Sequence, residues 1–235
     1  MAQPWKIIAS VPTEEGVLQL RQRGDKDFLI MIGTQVLMNS QANRSEIVLG
    51  QKGCEHLKNH AAPRVLVGGL GMGFTLRAVL DTLPSTAQVV VAELNPVVPE
   101  WCRGPLAPLT ASAISDPRVT VEINDVAQLV RKHAASDGEC RFDAIVLDLY
   151  RGPHARTDAV NDPLYGSLAI ENTRSALIPG GVLAVWGENY DEGFVKRLQK
   201  AGFTVITERP GRGGLLHAVF LARLETAPKA GKQAP

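Results

Sequence analysis

The stretch VLVGGLGMGF, Val65 to Phe74, places four glycines directly behind an apolar run. Glycines at this density indicate that the backbone turns sharply or lies close to another group. In doubly wound α/β sheets such a turn joins a buried strand to a helix, and ligands bind beyond the carboxyl ends of the strands. The stretch therefore predicts a fold class and the place of a ligand site.

The sequence that follows the turn repeats the pattern of strand and helix. Between Pro63 and Gly202, runs of Val, Ile and Leu alternate with segments whose apolar residues have helical spacing; the predicted strands are RVLVGGL, AQVVVAEL, RVTVEIN, FDAIVLDLY and VLAVWG. Repeated βα units with continuous apolar strands form a parallel sheet covered on both faces. The final pair, FTVITERP and LLHAVFLARL, is joined by GRGG and predicts an antiparallel last strand.

The first 60 residues have a different pattern. GVLQLRQRG and DFLIMIGTQVLMNS alternate or run apolar around the turn signal Gly24-Asp25, which predicts a small antiparallel sheet. SEIVLGQKGCEHL predicts a short helix with Ser45 as its N-cap. The predicted division is an N-terminal β region with a short helix (1–60), a ligand-binding α/β domain (61–224) and a disordered tail (225–235).

Composition narrows the classes of function. A net charge of +1 over 235 residues gives no electrostatic reason to expect binding to nucleic acid or to a membrane surface. The three cysteines are widely spaced, and no two histidines combine the spacing of metal ligands with a neighbouring cysteine or acid cluster, so we predict neither a disulfide framework nor a metal site. No apolar run is long enough to span a bilayer and the first residues lack the layout of a signal peptide, which predicts a cytoplasmic protein.

The glycine spacing restricts the class of ligand that the turn can bind. A phosphate loop needs Lys-Ser/Thr after its glycines, and this turn continues into Phe74-Thr75; a dinucleotide turn needs a third glycine where Leu76 stands. The pattern Gly69-x-Gly71-x-Gly73 is usual in S-adenosylmethionine-dependent transferases. We predict that these glycines admit the methionine part of that cofactor close to the backbone, although such turns also serve simply to pack a helix on a strand.

Polar residues stand where the other strands end. Glu93 ends the second strand, where a carboxylate accepts both hydroxyls of a ribose. Asn124 and Asp125 follow the third strand, where Asp125 can bind the adenine amino group, cap the next helix, or do both. Asp148 ends the apolar fourth strand, facing the place of the sulfonium substituent, and packing alone explains an acid there poorly.

Taken together, these residues resemble the spermidine synthase-like group of class I S-adenosylmethionine-fold transferases. The resemblance is carried by FLIMIGTQVLMNSQANRSE, RVLVGGLGMG, VVVAELNP, VTVEINDVAQLV, FDAIVLDLYRGP and LIPGGVLAVW. It implies a Rossmann-like methyltransferase sheet, S-adenosylmethionine or its decarboxylated form as cofactor, and a small-molecule acceptor. It also implies a homodimer or homotetramer built partly through the N-terminal sheet.

Three positions depart from the aminopropyltransferases of this group. Gly71 stands where they carry an Asp for the aminopropyl amine, Asp148-Leu149-Tyr150-Arg151 replaces Asp-Ser-Thr-Asp, and Arg44-Ser45-Glu46 replaces Tyr-His/Gln-Glu. A dicationic polyamine needs a carboxylate at each end, whereas here a cation replaces one of them. We predict that Asp148 orients or deprotonates the acceptor, that Arg151 pairs with an anionic group of it, and that Tyr150 stacks on it or forms a hydrogen bond with it.

The favoured function is methyl transfer to a small molecule. Aminopropyl transfer from decarboxylated S-adenosylmethionine is the alternative within the family. A catalytically silent dimeric binding protein is the third hypothesis, and a nicotinamide dehydrogenase ranks last because of the glycine spacing.

Overall fold

The computed structural model describes residues 3–136, 140–210 and 216–225. The GRGG connection and the predicted tail from residue 226 onward lie outside the described residues. Two sheets organise the described chain, one of four strands and one of seven.

The first four strands form an antiparallel sheet in the order of the chain. They are β1 (Lys6–Thr13), β2 (Gly16–Arg23), β3 (Asp27–Ile32) and β4 (Gln35–Asn39). The predicted sheet is present, but β1 was not predicted, and the run DFLIMIGTQVLMNS is two strands rather than one. A turn at Gly33-Thr34 divides it, and Gly33 has the left-handed φ of +55° that such a turn requires.

The second sheet has the strand order β10-β11-β9-β8-β5-β6-β7. Its strands are β5 (Arg64–Gly68), β6 (Gln88–Glu93), β7 (Val119–Ile123), β8 (Phe142–Leu147), β9 (Leu177–Gly187), β10 (Phe203–Glu208) and β11 (Ala218–Leu224). β5 to β9 pair in parallel and β11 runs antiparallel to both of its neighbours, which confirms the predicted sheet and its antiparallel last strand. The strand order reverses between β5 and β8, so the ligand site is expected beyond their carboxyl ends.

Six α-helices accompany the strands in the described residues. They are α1 (Arg44–Cys54), α2 (Phe74–Thr82), α3 (Val97–Arg103), α4 (Val126–Ala134), α5 (Ser167–Ala176) and α6 (Glu192–Lys200). α3 was not predicted, because Pro96 directly precedes it and Pro99 lies within its seven residues, and prolines in this pattern indicate a turn. The prediction of Ser45 as an N-cap was wrong: Asn43 holds that position, and the Ser45 hydroxyl instead donates to the Glu46 side chain.

The two sheets share one core. Leu18, Leu20, Phe28 and Ile30 of the small sheet are buried in the same apolar cluster as the α2 and β5 side chains. α1, which the sequence grouped with the N-terminal region, packs against α2 and against β8, β9 and β11 of the large sheet. The small sheet therefore lies against the large one close to the switch point and can form part of a site there.

Candidate active site

A cleft of about 310 Å³ lies beyond the carboxyl ends of the parallel strands, at the place where the strand order reverses. Its volume is at the lower end of the range for small-molecule sites. The small sheet supplies apolar walls through Leu18, Ile30, Ile32, Leu37 and Met38. The polar side chains of the cleft come from strand ends and from the N-terminal region; they are Glu15, Glu46, Glu93, Asn95, Asn124, Asp125, Asp148, Tyr150 and Arg151.

Glu93 is fixed by the backbone around the glycine turn. Its two carboxylate oxygens accept hydrogen bonds from the backbone N–H groups of Leu70, at 2.9 Å, and Asn95, at 2.8 Å. Burial raises its pKa, against the opposing effect of these backbone donors. Each oxygen keeps a lone pair for a further donor, so the carboxylate can accept two hydroxyls of a ribose in the cleft.

Asp125 caps a helix and also lines the cleft. Its Oδ1 accepts from the Ala127 backbone N–H at 2.8 Å and so caps α4, as predicted. Asp125 and the neighbouring Asn124 also line the cleft. The second carboxylate oxygen of Asp125 and the side-chain amide of Asn124 can form hydrogen bonds with the polar edge of an adenine.

Asp148 follows β8 directly and lies at the floor of the cleft. Its Oδ2 accepts a 2.6 Å hydrogen bond from the Thr75 hydroxyl of α2. Burial, and after it the charge of Glu46, raise the pKa of Asp148 to about 7, and the Thr75 hydrogen bond opposes this only in part. A carboxyl group with that pKa can take up and release a proton near neutral pH.

Gly71 and Gly73 of the glycine turn occupy different structural environments. A Cβ on Gly71 would lie 2.8 Å from the Met38 sulfur, and this sulfur also accepts a hydrogen bond from the Met72 N–H at 3.2 Å. Met38 of β4 therefore occupies the space next to Gly71. Gly73 is the N-cap of α2 with a left-handed φ of +85° and does not line the cleft, unlike Gly69 and Gly71.

The mouth of the cleft combines charges of both signs. The Tyr150 hydroxyl lies 3.4 Å from a carboxylate oxygen of Glu15, in the β1–β2 turn. The Arg151 guanidinium lies over the Tyr150 ring, 5.2 Å from its centroid. Both residues are exposed, so a ligand entering the cleft meets a carboxylate, a phenol and a guanidinium.

The structure thus brings together every predicted site residue except Gly73. Sequence reasoning missed Glu15 and Met38 because they lie far from the turn in the chain and carry no motif of their own. Trp186 of β9 and Glu46, the acid of the Arg44-Ser45-Glu46 triplet, also line the cleft.

Two further features concern the whole described chain. Among residues 3–136, 140–210 and 216–225, no group of three or more His, Cys, Asp or Glu side chains has a geometry that could hold a metal ion. Within the same ranges, no helix combines the length and the apolar character needed to cross a bilayer.

Comparisons with known protein sequences agree on one family. Residues 45–206 match the sequence family described as the spermine/spermidine synthase domain. A polyamine aminopropyltransferase of Mycobacterium tuberculosis is 36% identical over 124 residues, which cover 53% of this chain and 22% of that protein. Putrescine N-methyltransferase 1 of Nicotiana tabacum is 33% identical over 126 residues, covering 54% of this chain and 31% of that protein. The match thus spans less than a third of either curated relative.

Solved structures show the same fold over nearly the whole chain. Spermidine synthase from Thermotoga maritima has a TM-score of 0.70 at 21% identity, covering 95% of this chain and 75% of that one. A spermidine synthase in complex with the transition-state analogue AdoDATO has the same TM-score at 20% identity, covering 95% of this chain and 74% of that one.

Proposed function

The chain belongs to the spermine/spermidine synthase domain family, and from this premise we propose that it is an S-adenosylmethionine-dependent methyltransferase that acts on a small amine. The relatives include both an aminopropyltransferase and an N-methyltransferase, so membership of the family supports transferase activity. Which group is transferred must be argued from the residues of the cleft.

The residues of the cleft fit a nucleoside joined to an amino-acid chain. Glu93 and Asp125 present carboxylate oxygens already oriented by backbone donors. The turn between β5 and α2 exposes backbone at Gly69 and Gly71, next to the positive end of the α2 dipole. That end favours a carboxylate, which S-adenosylmethionine has and its decarboxylated form lacks.

The observation that carries methyl transfer over aminopropyl transfer is the contact between Gly71 and Met38. In the aminopropyltransferases that the chain resembles, an Asp at this position holds the amine of the aminopropyl arm. Here a thioether occupies the space beside the glycine, 2.8 Å from where a Cβ would begin. The ammonium group of the decarboxylated cofactor placed there would lose its hydration without gaining a counter-charge, whereas the ammonium group of S-adenosylmethionine has its own carboxylate beside it.

The other end of the cleft supports an amine as acceptor. The cleft is lined there by Asp148 and Glu46, with Glu15 at the mouth, so carboxylates outnumber the single cation Arg151 among these lining residues. Apolar side chains of the small sheet also line the cleft. Arg151 suits an acceptor that carries an anionic group at its far end.

In the proposed methyl transfer, the side chains of the cleft position the acceptor and remove its proton. S-adenosylmethionine, when bound, supplies a methyl group on a positively charged sulfur that an amine nitrogen attacks in line. Asp148 accepts a proton from the acceptor ammonium, which frees the nitrogen lone pair to form the N–C bond as the S–C bond breaks. Glu46 stabilises the positive charge of the acceptor, and the walls exclude water and align the reactants.

Calorimetry and product analysis test this function. We expect S-adenosylmethionine to bind at least about ten-fold more tightly than its decarboxylated form. We expect a radiolabelled methyl group to appear in an amine from a panel of short aliphatic amines with neutral, cationic or anionic far ends. Preference for the decarboxylated cofactor with transfer of its aminopropyl group would overturn the proposal. Binding without turnover on the whole panel would identify a silent binding protein instead.

Aminopropyl transfer is the second candidate, since Glu15, Glu46 and Asp148 give the cleft three carboxylates for a cationic acceptor. The mycobacterial relative is named for that activity. The same calorimetric comparison separates the two.

Gly71→Asp tests the contact with Met38 directly. An Asp tolerates the left-handed φ of +51° better than most residues and would displace the flexible end of Met38. We expect the ratio of the two cofactor affinities to move toward the decarboxylated form by about ten-fold, because a carboxylate then faces the arm. Gly71→Asn is the matched control, with the same size and a similar tolerance of the left-handed φ but no charge. An equal shift in both variants would show that shape rather than charge decides.

The predicted homodimer or homotetramer and the cytoplasmic location stay predictions, which size-exclusion chromatography with light scattering and cell fractionation can test.

A further inference from the structure

Glu46 is a buried acid that faces the candidate active site from the first turn of α1. It is 8% exposed and lines the cleft beside Asp148. Within the part of the chain that the structure describes, it forms no ion pair with Lys, Arg or His. Because a buried carboxylate is costly unless it is hydrogen-bonded or paired, something must hold this charge in place.

The group that holds it is the hydroxyl of Ser45. Ser45 is 3% exposed, and its Oγ lies 2.7 Å from Oε2 of Glu46 and 2.8 Å from Nδ1 of His217. A hydroxyl has one hydrogen to donate. When that hydrogen goes to an ionised Glu46, the Ser45 oxygen must accept from His217, which requires the proton of the imidazole to be on Nδ1.

His217 is held in turn by Trp186. The two rings pack edge to face, with centroids 5.1 Å apart and planes at 69°. His217 directly precedes β11, and Trp186 lies in β9 and lines the cleft. The ring plane of the histidine is therefore set by the same wall that bounds the acceptor space, and the chain of contacts joins residues 172 positions apart.

We propose that Ser45 and His217 are positioning residues: they hold the Glu46 carboxylate turned toward the cleft, so that it binds the ammonium group of the acceptor beside the base Asp148. This inference rests on the proposed function. The direction of donation runs from His217 Nδ1–H to Ser45 Oγ, and from Ser45 Oγ–H to Glu46 Oε2. With Oε2 engaged in this way, Oε1 is left for the cationic ligand.

The arrangement also acts on Asp148. The groups that face Asp148 are Glu46 from α1, the Thr75 hydroxyl from α2, and the buried phenol of Tyr165 from the segment before α5. Glu46 is the one carboxylate among them, and its charge raises the pKa of Asp148. A Glu46 that is turned toward the cleft raises the affinity of Asp148 for a proton, whereas one that rotates away would lower it.

Three variants and one control test the role. Ser45→Ala removes the hydroxyl, and His217→Phe removes the donor while keeping a ring against Trp186. His217→Asn keeps an N–H donor near the position of Nδ1 and serves as the conservative rescue. Ser167→Ala, at the start of α5 and away from the cleft, controls for the loss of a serine hydroxyl from a helix.

The first readout needs no cofactor and no turnover. Nitrogen NMR of the free protein should show a proton on Nδ1 of His217 in the wild type and a move of that proton to Nε2 in Ser45→Ala. Carbon NMR of the carboxyl groups should show the titration midpoint of Asp148 falling by about half a pH unit or more in Ser45→Ala and His217→Phe. His217→Asn and Ser167→Ala should keep the wild-type midpoint.

The second readout is catalytic. We expect kcat/KM for the amine to fall about ten-fold in Ser45→Ala and His217→Phe, with the affinity for S-adenosylhomocysteine within about two-fold of the wild type. The pH dependence of the rate should move in the same direction as the Asp148 midpoint. His217→Asn should recover most of the loss.

The outcomes separate this inference from the proposed function. An Asp148 midpoint that is unchanged in both Ser45→Ala and His217→Phe overturns the positioning role, whatever the activity. If the wild type methylates no amine but the free protein titrates as expected, the proposed function is overturned and the positioning role stands.

Discussion

Asp148→Asn is expected to lower methyl transfer to the amine acceptor by at least about 100-fold, while leaving the affinity for S-adenosylhomocysteine within about two-fold of the wild type. Asn has the size of Asp but cannot accept the proton of the acceptor. It can still accept the Thr75 hydrogen bond through its carbonyl oxygen, so the geometry at the end of β8 is kept. Initial rates with a labelled methyl group and calorimetry with S-adenosylhomocysteine measure the two quantities.

The pH dependence gives this prediction a second signature. Because burial and Glu46 raise the pKa of Asp148 to about 7, the wild-type rate should increase as the pH rises through that value and Asp148 loses its proton. The ratio of wild-type to Asp148→Asn rates removes the titration of the acceptor itself, which is common to both. A ratio that does not change between pH 6 and 8, or full activity in the variant, would exclude Asp148 as the base; these pH values bracket the raised pKa by about one unit.

Asp148→Asn should increase the folding stability of the protein above pH 7, although it lowers the activity. A carboxyl group whose pKa is raised on folding favours the folded state at low pH, and this contribution is lost as the pH rises through the folded pKa of about 7. Asp148→Asn is neutral throughout, so it should be more resistant to urea than the wild type above pH 7. Asp143→Asn is the matched control: Asp143 lies near the other end of β8, where it accepts the Arg64 backbone N–H at 2.7 Å, and its loss should reduce stability without removing the base.

Glu93→Gln is expected to weaken binding of S-adenosylhomocysteine by about ten- to 100-fold. Both carboxylate oxygens accept backbone N–H groups, at Leu70 and Asn95. A glutamine has one oxygen, so one of these N–H groups would face the NH₂ of the amide, and one ribose hydroxyl would lose its acceptor. The lost ribose hydrogen bond to a charged acceptor, at about 1.5–3 kcal/mol, accounts for a change of that size, whereas the lost backbone hydrogen bond is present with and without ligand and lowers the stability of the fold.

Titration calorimetry measures the affinity, and thermal unfolding shows whether the variant is folded at the temperature of the titration. Glu122→Gln, on the neighbouring strand β7 and outside the cleft lining, is the control and should bind as the wild type does. Wild-type affinity in Glu93→Gln would mean that Glu93 only anchors the glycine turn and does not contact the ligand.

The sequence alone predicted the larger sheet and much of one half of the cleft. Continuous apolar strands separated by helical segments specify a parallel sheet, and the glycines after β5 mark its first crossover. Glu93, Asp125 and Asp148 were predicted because each stands at the end of such a strand, and parallel strands bring their carboxyl ends to one edge. These are local patterns, and the sheet geometry turns them into a site without further information.

The other half of the cleft was decided only by the tertiary structure. Met38 contacts Gly71, and Ser45 links its neighbour Glu46 to the remote His217. Both contacts join parts of the chain that are far apart in sequence, and no sequence pattern pairs them. Such contacts depend on how the small sheet and α1 pack on the large sheet, since packing and not local propensity sets which remote side chains meet. The sequence could thus predict the polar residues at the strand ends, whereas the side chains that the small sheet and α1 add to the cleft became known only from the tertiary structure.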